Sequence, residues 1–76
     1  MVNVKLYSKP DCCLCDAVRE HLIQIQRRRP FALTEINILE DCDAYAKFKE
    51  HIPVVFVNGV EAFRHHLDEK KFLRML

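Results

Sequence analysis

Val2-Asn3-Val4-Lys5-Leu6-Tyr7-Ser8-Lys9-Pro10-Asp11-Cys12-Cys13-Leu14-Cys15 carries the chain from a short apolar strand, through a turn, into an amphipathic helix. A Cys-x-x-Cys pair, Cys12 and Cys15, stands at that junction. At a helix start, unpaired backbone N–H groups and the macrodipole favour negative charge. A thiolate placed there is stabilised, and the thiolate is the reactive form of cysteine. Two thiols three positions apart can close a disulfide and reopen it by exchange. Position and spacing together point to dithiol redox chemistry.

Downstream of the turn, Leu14, Val18, Leu22 and Ile25 recur at steps of four, four and three, which predicts one stripe of a helix running to about Arg28. Arg27-Arg28-Arg29 complements the dipole at the far end, and Pro30 stops the helix. Phe31 to Ile38 reads as a second strand, with Thr34, Ile36 and Ile38 on one face and Leu33, Glu35 and Asn37 on the other. A helix between two strands makes them parallel, in a right-handed βαβ unit.

Asp41 or Asp43 can cap a second helix through about Glu50, with Tyr45 and Phe48 on its buried side. Ile52-Pro53-Val54-Val55-Phe56-Val57 is almost wholly apolar, as expected of a central strand. Asn58-Gly59 is a strong hairpin signal and leads into a fourth, antiparallel strand from Val60 to about Arg64. Asp68 can cap a last helix, to which Phe72, Leu73 and Leu76 supply apolar contacts. The expected class is α/β, in the order β-α-β-α-β-β-α.

A length of 76 residues predicts one domain, residues 1–76. The formal net charge is +1, from 12 basic and 11 acidic residues, which gives no electrostatic reason to expect nucleic acid or a membrane surface as partner. No apolar run approaches the ~20 residues of a membrane span. The N-terminus passes straight into a strand without the segments of a signal peptide, so a cytoplasmic, reducing compartment is the expectation. A monomer is expected as well. Three of the four cysteines fall within four residues and cannot cross-link distant parts of the chain. Structural stapling is therefore a poor explanation for them.

The element order, with Cys-x-x-Cys after the first strand and Ile-Pro before the third, resembles the thioredoxin fold in its small glutaredoxin form, a central mixed four-stranded sheet flanked by helices. The stretch from Leu6 to Ala17, with its Cys-x-Leu-Cys-Asp at Cys12 to Asp16, is similar to the glutaredoxin-like family once classed as a domain of unknown function. The resemblance implies a thiol-disulfide oxidoreductase in which Cys12 attacks and Cys15 resolves. Lys9 would add to the activation of Cys12, while Asp11 and Asp16 oppose it. Pro53 matches the position of a cis-proline, which would present the backbone of Ile52 to an incoming disulfide.

The same resemblance implies glutathione as a candidate co-substrate, beside disulfide-containing proteins and a thiol reductant or reductase as partners. Lys9 matches a lysine that contacts a glutathione carboxylate, and Arg64 or His65 could hold the other by charge. The glycine pair that ordinary glutaredoxins carry after the fourth strand is missing from Ala62-Phe63-Arg64-His65-His66-Leu67-Asp68. No bound cofactor is expected.

Two other readings compete. One is a zinc or iron-sulfur module, with Cys12 and Cys15 joined by Cys13, His51 or His65. Structural zinc usually needs four ligands from two paired motifs, and only one pair is present. The other is a redox-inactive adaptor that keeps the fold to bind a partner, which retention of both cysteines weighs against. Cys13 and Cys42 read as bystanders.

Overall fold

Asn3–Ser8 forms β1, whose residues alternate between solvent and core until Tyr7, as a half-buried strand should. The computed structural model describes residues 1–76. Helix α1 spans Cys13–Arg28, and β2, Ala32–Asn37, lies parallel to β1 with Leu6 opposite Glu35 and Ser8 opposite Asn37. A 3-10 turn over Ile38–Glu40 leads to α2, Cys42–Phe48. Strands β3, Val54–Val57, and β4, Val60–Arg64, precede the last helix, α3, Glu69–Met75. The sheet runs β2-β1-β3-β4, with β3 antiparallel to both of its neighbours. This is the expected mixed four-stranded arrangement.

Strand β3 is apolar throughout because both faces of it are covered. On one face Val55 and Val57 join Val4 and Leu6 beneath Val18, Leu22 and Ile25 of α1 and Phe72 of α3. On the other, Val54 packs against Ile38, Ala44 and Phe48. An aromatic group closes that side: the Phe48 ring lies 5.0 Å from Tyr7 and 5.9 Å from Phe56.

Local chemistry fixes the joints between these elements. Asn58 and Gly59 adopt φ of 51° and 82°, the two positive values a tight two-residue hairpin requires. The Asn58 side chain also accepts the Asn3 N–H at 2.9 Å, tying the hairpin to β1. Of the two candidate caps of α2, Asp41 is the one used, accepting the Ala44 N–H at 3.1 Å. Asp68 caps α3 through the Lys71 N–H at 3.2 Å.

Several expectations are corrected. Leu14 is 49% exposed, and Cys15 takes its place in the buried stripe with Val18, Leu22 and Ile25. Leu14 sits on the first turn of α1, where side chains lean back past the end of the sheet. Tyr45 is 45% exposed, because Ala44 and Phe48, one turn apart, are the pair that faces the sheet. The small Ala44 lets this short helix lie close. Ile38 leaves the strand for the 3-10 turn, since the Asn37 side chain accepts the Leu39 N–H at 2.9 Å and bends the chain there. Helix α2 stops at Phe48 rather than near Glu50, and Ile52 and Pro53 stand outside β3.

Candidate functional site

Asp11, at φ 60°, makes the left-handed turn that swings the chain from β1 into α1. Aspartate tolerates that conformation better than most side chains. The next residue, Cys12, is the N-cap of α1: its backbone is extended, and its sulfur accepts the Cys15 N–H at 3.3 Å. A thiol thus replaces the hydroxyl or carboxylate usual at this position.

Cys12 is half-buried, whereas Cys15 is 0% exposed, one turn inward. All four cysteines are free thiols, and Cys13 and Cys42 are exposed. Burial, above all, pushes the Cys15 thiol up to about 12, and the Cys12 side chain adds to that rise by hydrogen bond and charge. A backbone hydrogen bond from Lys9 and the positive charge of Arg19 act in the opposite direction. Two identical thiols therefore have different chemistries: one meets solvent, and one is held protonated beneath it.

The residues singled out beside the cysteines gather at one end of the sheet. Register pairs Tyr7 with Val54 and Val54 with Arg64, so Pro53 and Arg64 stand level with the end of β1 and the turn to Cys12. The Ile52–Pro53 peptide bond is cis, and Pro53 is buried. Its carbonyl accepts the His65 N–H at 2.7 Å. Lys9 is exposed. Arg64 donates to Glu61 at 2.7 and 3.0 Å, which offsets its charge and holds the Glu61 carboxyl below its ordinary range. His51 and His65 stack with ring centroids 6.0 Å apart. No three His, Cys, Asp or Glu side chains are grouped to hold a metal ion, so the ligand set of the metal-binding alternative is not assembled.

A polar network that sequence reading missed lies next to Cys15. Arg19 donates through Nε to both carboxylate oxygens of Glu35, at 2.9 and 2.8 Å, and through Nη1 to Asp16 at 2.7 Å. Ser8, only 3% exposed, donates to the same Glu35 carboxylate at 2.7 Å. Arg19 holds the Glu35 carboxyl below its ordinary range against the effect of partial burial, with Ser8 adding to the pull. The available sequence signal was the four-residue step from Cys15 to Arg19, which places them on one helix face.

The glutaredoxin-like domain model, DUF836, matches residues 3–76. The chain belongs to the glutaredoxin-like domain family. A curated relative is the Glutaredoxin-like protein YDR286C homolog of Dictyostelium discoideum, 28% identical in an alignment 76 positions long that covers 92% of this chain and 70% of the relative. Protein Ne2328 from Nitrosomonas europaea shares the fold with a TM-score of 0.86 at 23% identity, over 99% of this chain and 91% of that one. Thioredoxin 1 from Thermosipho africanus aligns with a TM-score of 0.67 at 15% identity, over 96% of this chain and 88% of that one. This glutaredoxin-like domain therefore has a thioredoxin-like fold.

Proposed function

We propose that the protein is a thiol-disulfide oxidoreductase that works through a Cys12–Cys15 couple. The observation that carries this reading is the difference in exposure between the two sulfurs, Cys12 half-buried at the helix cap and Cys15 enclosed. Cys12, half-exposed at the cap of α1, is placed to attack, and Cys15, enclosed one turn inward, is placed to resolve. Membership in a glutaredoxin-like family supports redox chemistry in general.

The Cys12 thiolate attacks one sulfur of a substrate disulfide and expels the other as a thiolate. Cys15 then attacks Cys12, closes the Cys12–Cys15 bond and releases the second substrate thiol. Two electrons pass from the dithiol to the substrate, and a thiol reductant restores the protein. Ile52 lies outside the strand ladder, so its backbone remains available to align an extended substrate beside Cys12.

The substrate is a protein disulfide, with a glutathione mixed disulfide as the second candidate. Lys9 offers a free cation to a glutathione carboxylate, but Arg64 is already engaged by Glu61. Gly59, in the hairpin, is the chain's one glycine, so the close backbone approach that a glycine pair allows after β4 is missing. Insulin reduction and reduction of a glutathione mixed disulfide, run side by side, test the reading. Cys12→Ser should abolish both activities. Retained activity in Cys12→Ser would remove the assignment of the nucleophile.

A further inference from the structure

The Arg19–Glu35–Ser8 network joins three elements directly beneath the first turns of α1. Ser8 ends β1, Glu35 projects from β2 on the same face as Leu33, and Arg19 follows Cys15 by one helical turn. Side chains on a helix lean toward its N-terminus, so the Arg19 guanidinium lies over the turn that holds Cys15. The two-oxygen grip of Glu35 and the bond to Asp16 leave that planar group little freedom. Ser8 is the polar residue buried in this core, and its hydroxyl is spent on steadying the carboxylate. Beside the network opens a polar groove of about 360 Å³, lined by Lys9, Pro10 and Asn37 among others, through which water reaches it.

Resting on the dithiol reading above, we infer that Arg19, clamped by Glu35 and Ser8, is a positioning residue for the resolving step. It fixes a positive charge behind the Cys15 sulfur, so that this enclosed thiol can ionise as it attacks.

The reaction sequence explains why the charge matters at that step. In the resting dithiol, Cys12 opposes ionisation of Cys15 by hydrogen bond and charge. Once Cys12 is bound to substrate in a mixed disulfide, that opposition is gone. Burial then remains the chief obstacle, with the Lys9 backbone and Arg19 acting against it. Cys15 gives up its proton to solvent as the Cys15–Cys12 bond forms and the Cys12–substrate bond breaks. The departing substrate thiolate takes up a proton from solvent. The charges that act on Cys15 are those of Cys12 and Arg19. Arg19 is the one positive member of a network with two carboxylates, Asp16 and Glu35, so without it only negative charge would remain there.

The test uses the full chain carrying Cys13→Ser and Cys42→Ser, reacted with a symmetrical nitroaromatic disulfide in a stopped-flow instrument. A first release of coloured thiolate reports attack by Cys12, and a second reports resolution by Cys15. Between about pH 6 and pH 9 the second release should quicken with pH, because it follows the thiolate fraction of Cys15. Arg19→Gln should leave the first release within about twofold and slow the second about tenfold throughout that range, the change carried by one unit of thiol ionisation. Arg19→Lys, which keeps the charge, should stay within about threefold of the parent. That variant decides the matter alone if Arg19→Gln fails to fold.

An unchanged second release in Arg19→Gln, equal slowing of both releases, or tenfold slowing in Arg19→Lys would overturn the inference. Cys15→Ser separates this from the reading beneath it. A second release that persists in Cys15→Ser sinks the dithiol mechanism and the inference together. Loss in Cys15→Ser with no effect of Arg19→Gln sinks the inference alone.

Discussion

The sulfur of Cys12 accepts a backbone N–H and meets water, whereas the sulfur of Cys15 is enclosed and its thiol is pushed up to about 12. One turn of helix separates them, and the pair was legible as soon as the Cys-x-x-Cys was read against a helix start. The Ser8–Glu35–Arg19 network was not legible. Arg19 could be placed on the Cys15 face by counting, but Glu35 reaches it only once β2 is paired with β1 and α1 lies across both. Ser8 is the sharpest probe of that network at single-residue scale. Ser8→Ala should lower stability in urea unfolding by about 1 kcal/mol, the net worth of one hydrogen bond, discounted because Glu35 is more than a third exposed. A second residue-scale outcome concerns resolution: Cys15→Ser should accumulate a Cys12–substrate adduct, visible as a stable mass increase of the intact protein.

Elements were read well where periodicity and punctuation agreed, and less well at their ends. The Asn58-Gly59 hairpin and the Asp68 cap stand where the sequence put them. Tyr45 and Leu14 were misread as buried because short or terminal helical segments present too few turns to define a face. At this scale Gly59 gives a clean test. An added Cβ would meet nothing within 4 Å, so Gly59→Ala feels only the left-handed backbone and should cost about 1 kcal/mol. Asn58→Gly should be nearly neutral for the turn itself but loses the bond to Asn3. Asp41→Ala removes the cap of α2 and should destabilise by about 1 kcal/mol in urea unfolding.

Stability of the whole molecule rests on few residues. A chain of 76 residues commands about 4–11 kcal/mol in total, and truncating one large buried aromatic costs about 3–5 kcal/mol. Phe72 is fully buried and packs edge-on against Phe31 at 5.4 Å. Phe72→Ala should therefore leave a protein largely unfolded at 37 °C or close to its melting point, by near-ultraviolet circular dichroism. Acid sensitivity also belongs to this scale. The Glu35, Glu61 and Glu69 carboxyls are all held below 4.5 in the folded chain by Arg19, Arg64 and His21 respectively. A depressed folded value gives stability that is present above 4.5 and lost as pH falls through the folded values. The melting temperature should accordingly drop as pH falls below 4.5, and less steeply in Glu35→Gln. No helix is long and apolar enough to cross a membrane.

The most direct measurement is identification of the disulfide that forms under mild oxidation. The four free thiols allow several pairings, and alkylation followed by peptide mass spectrometry distinguishes them. A Cys12–Cys15 bond that opens again with a thiol reductant, with Cys13 and Cys42 left alkylated, is the predicted result. A first bond made by Cys13 or Cys42, or no bond inside the motif, would contradict a mechanism in which the exposed sulfur at the tip of α1 is answered by the one enclosed behind it.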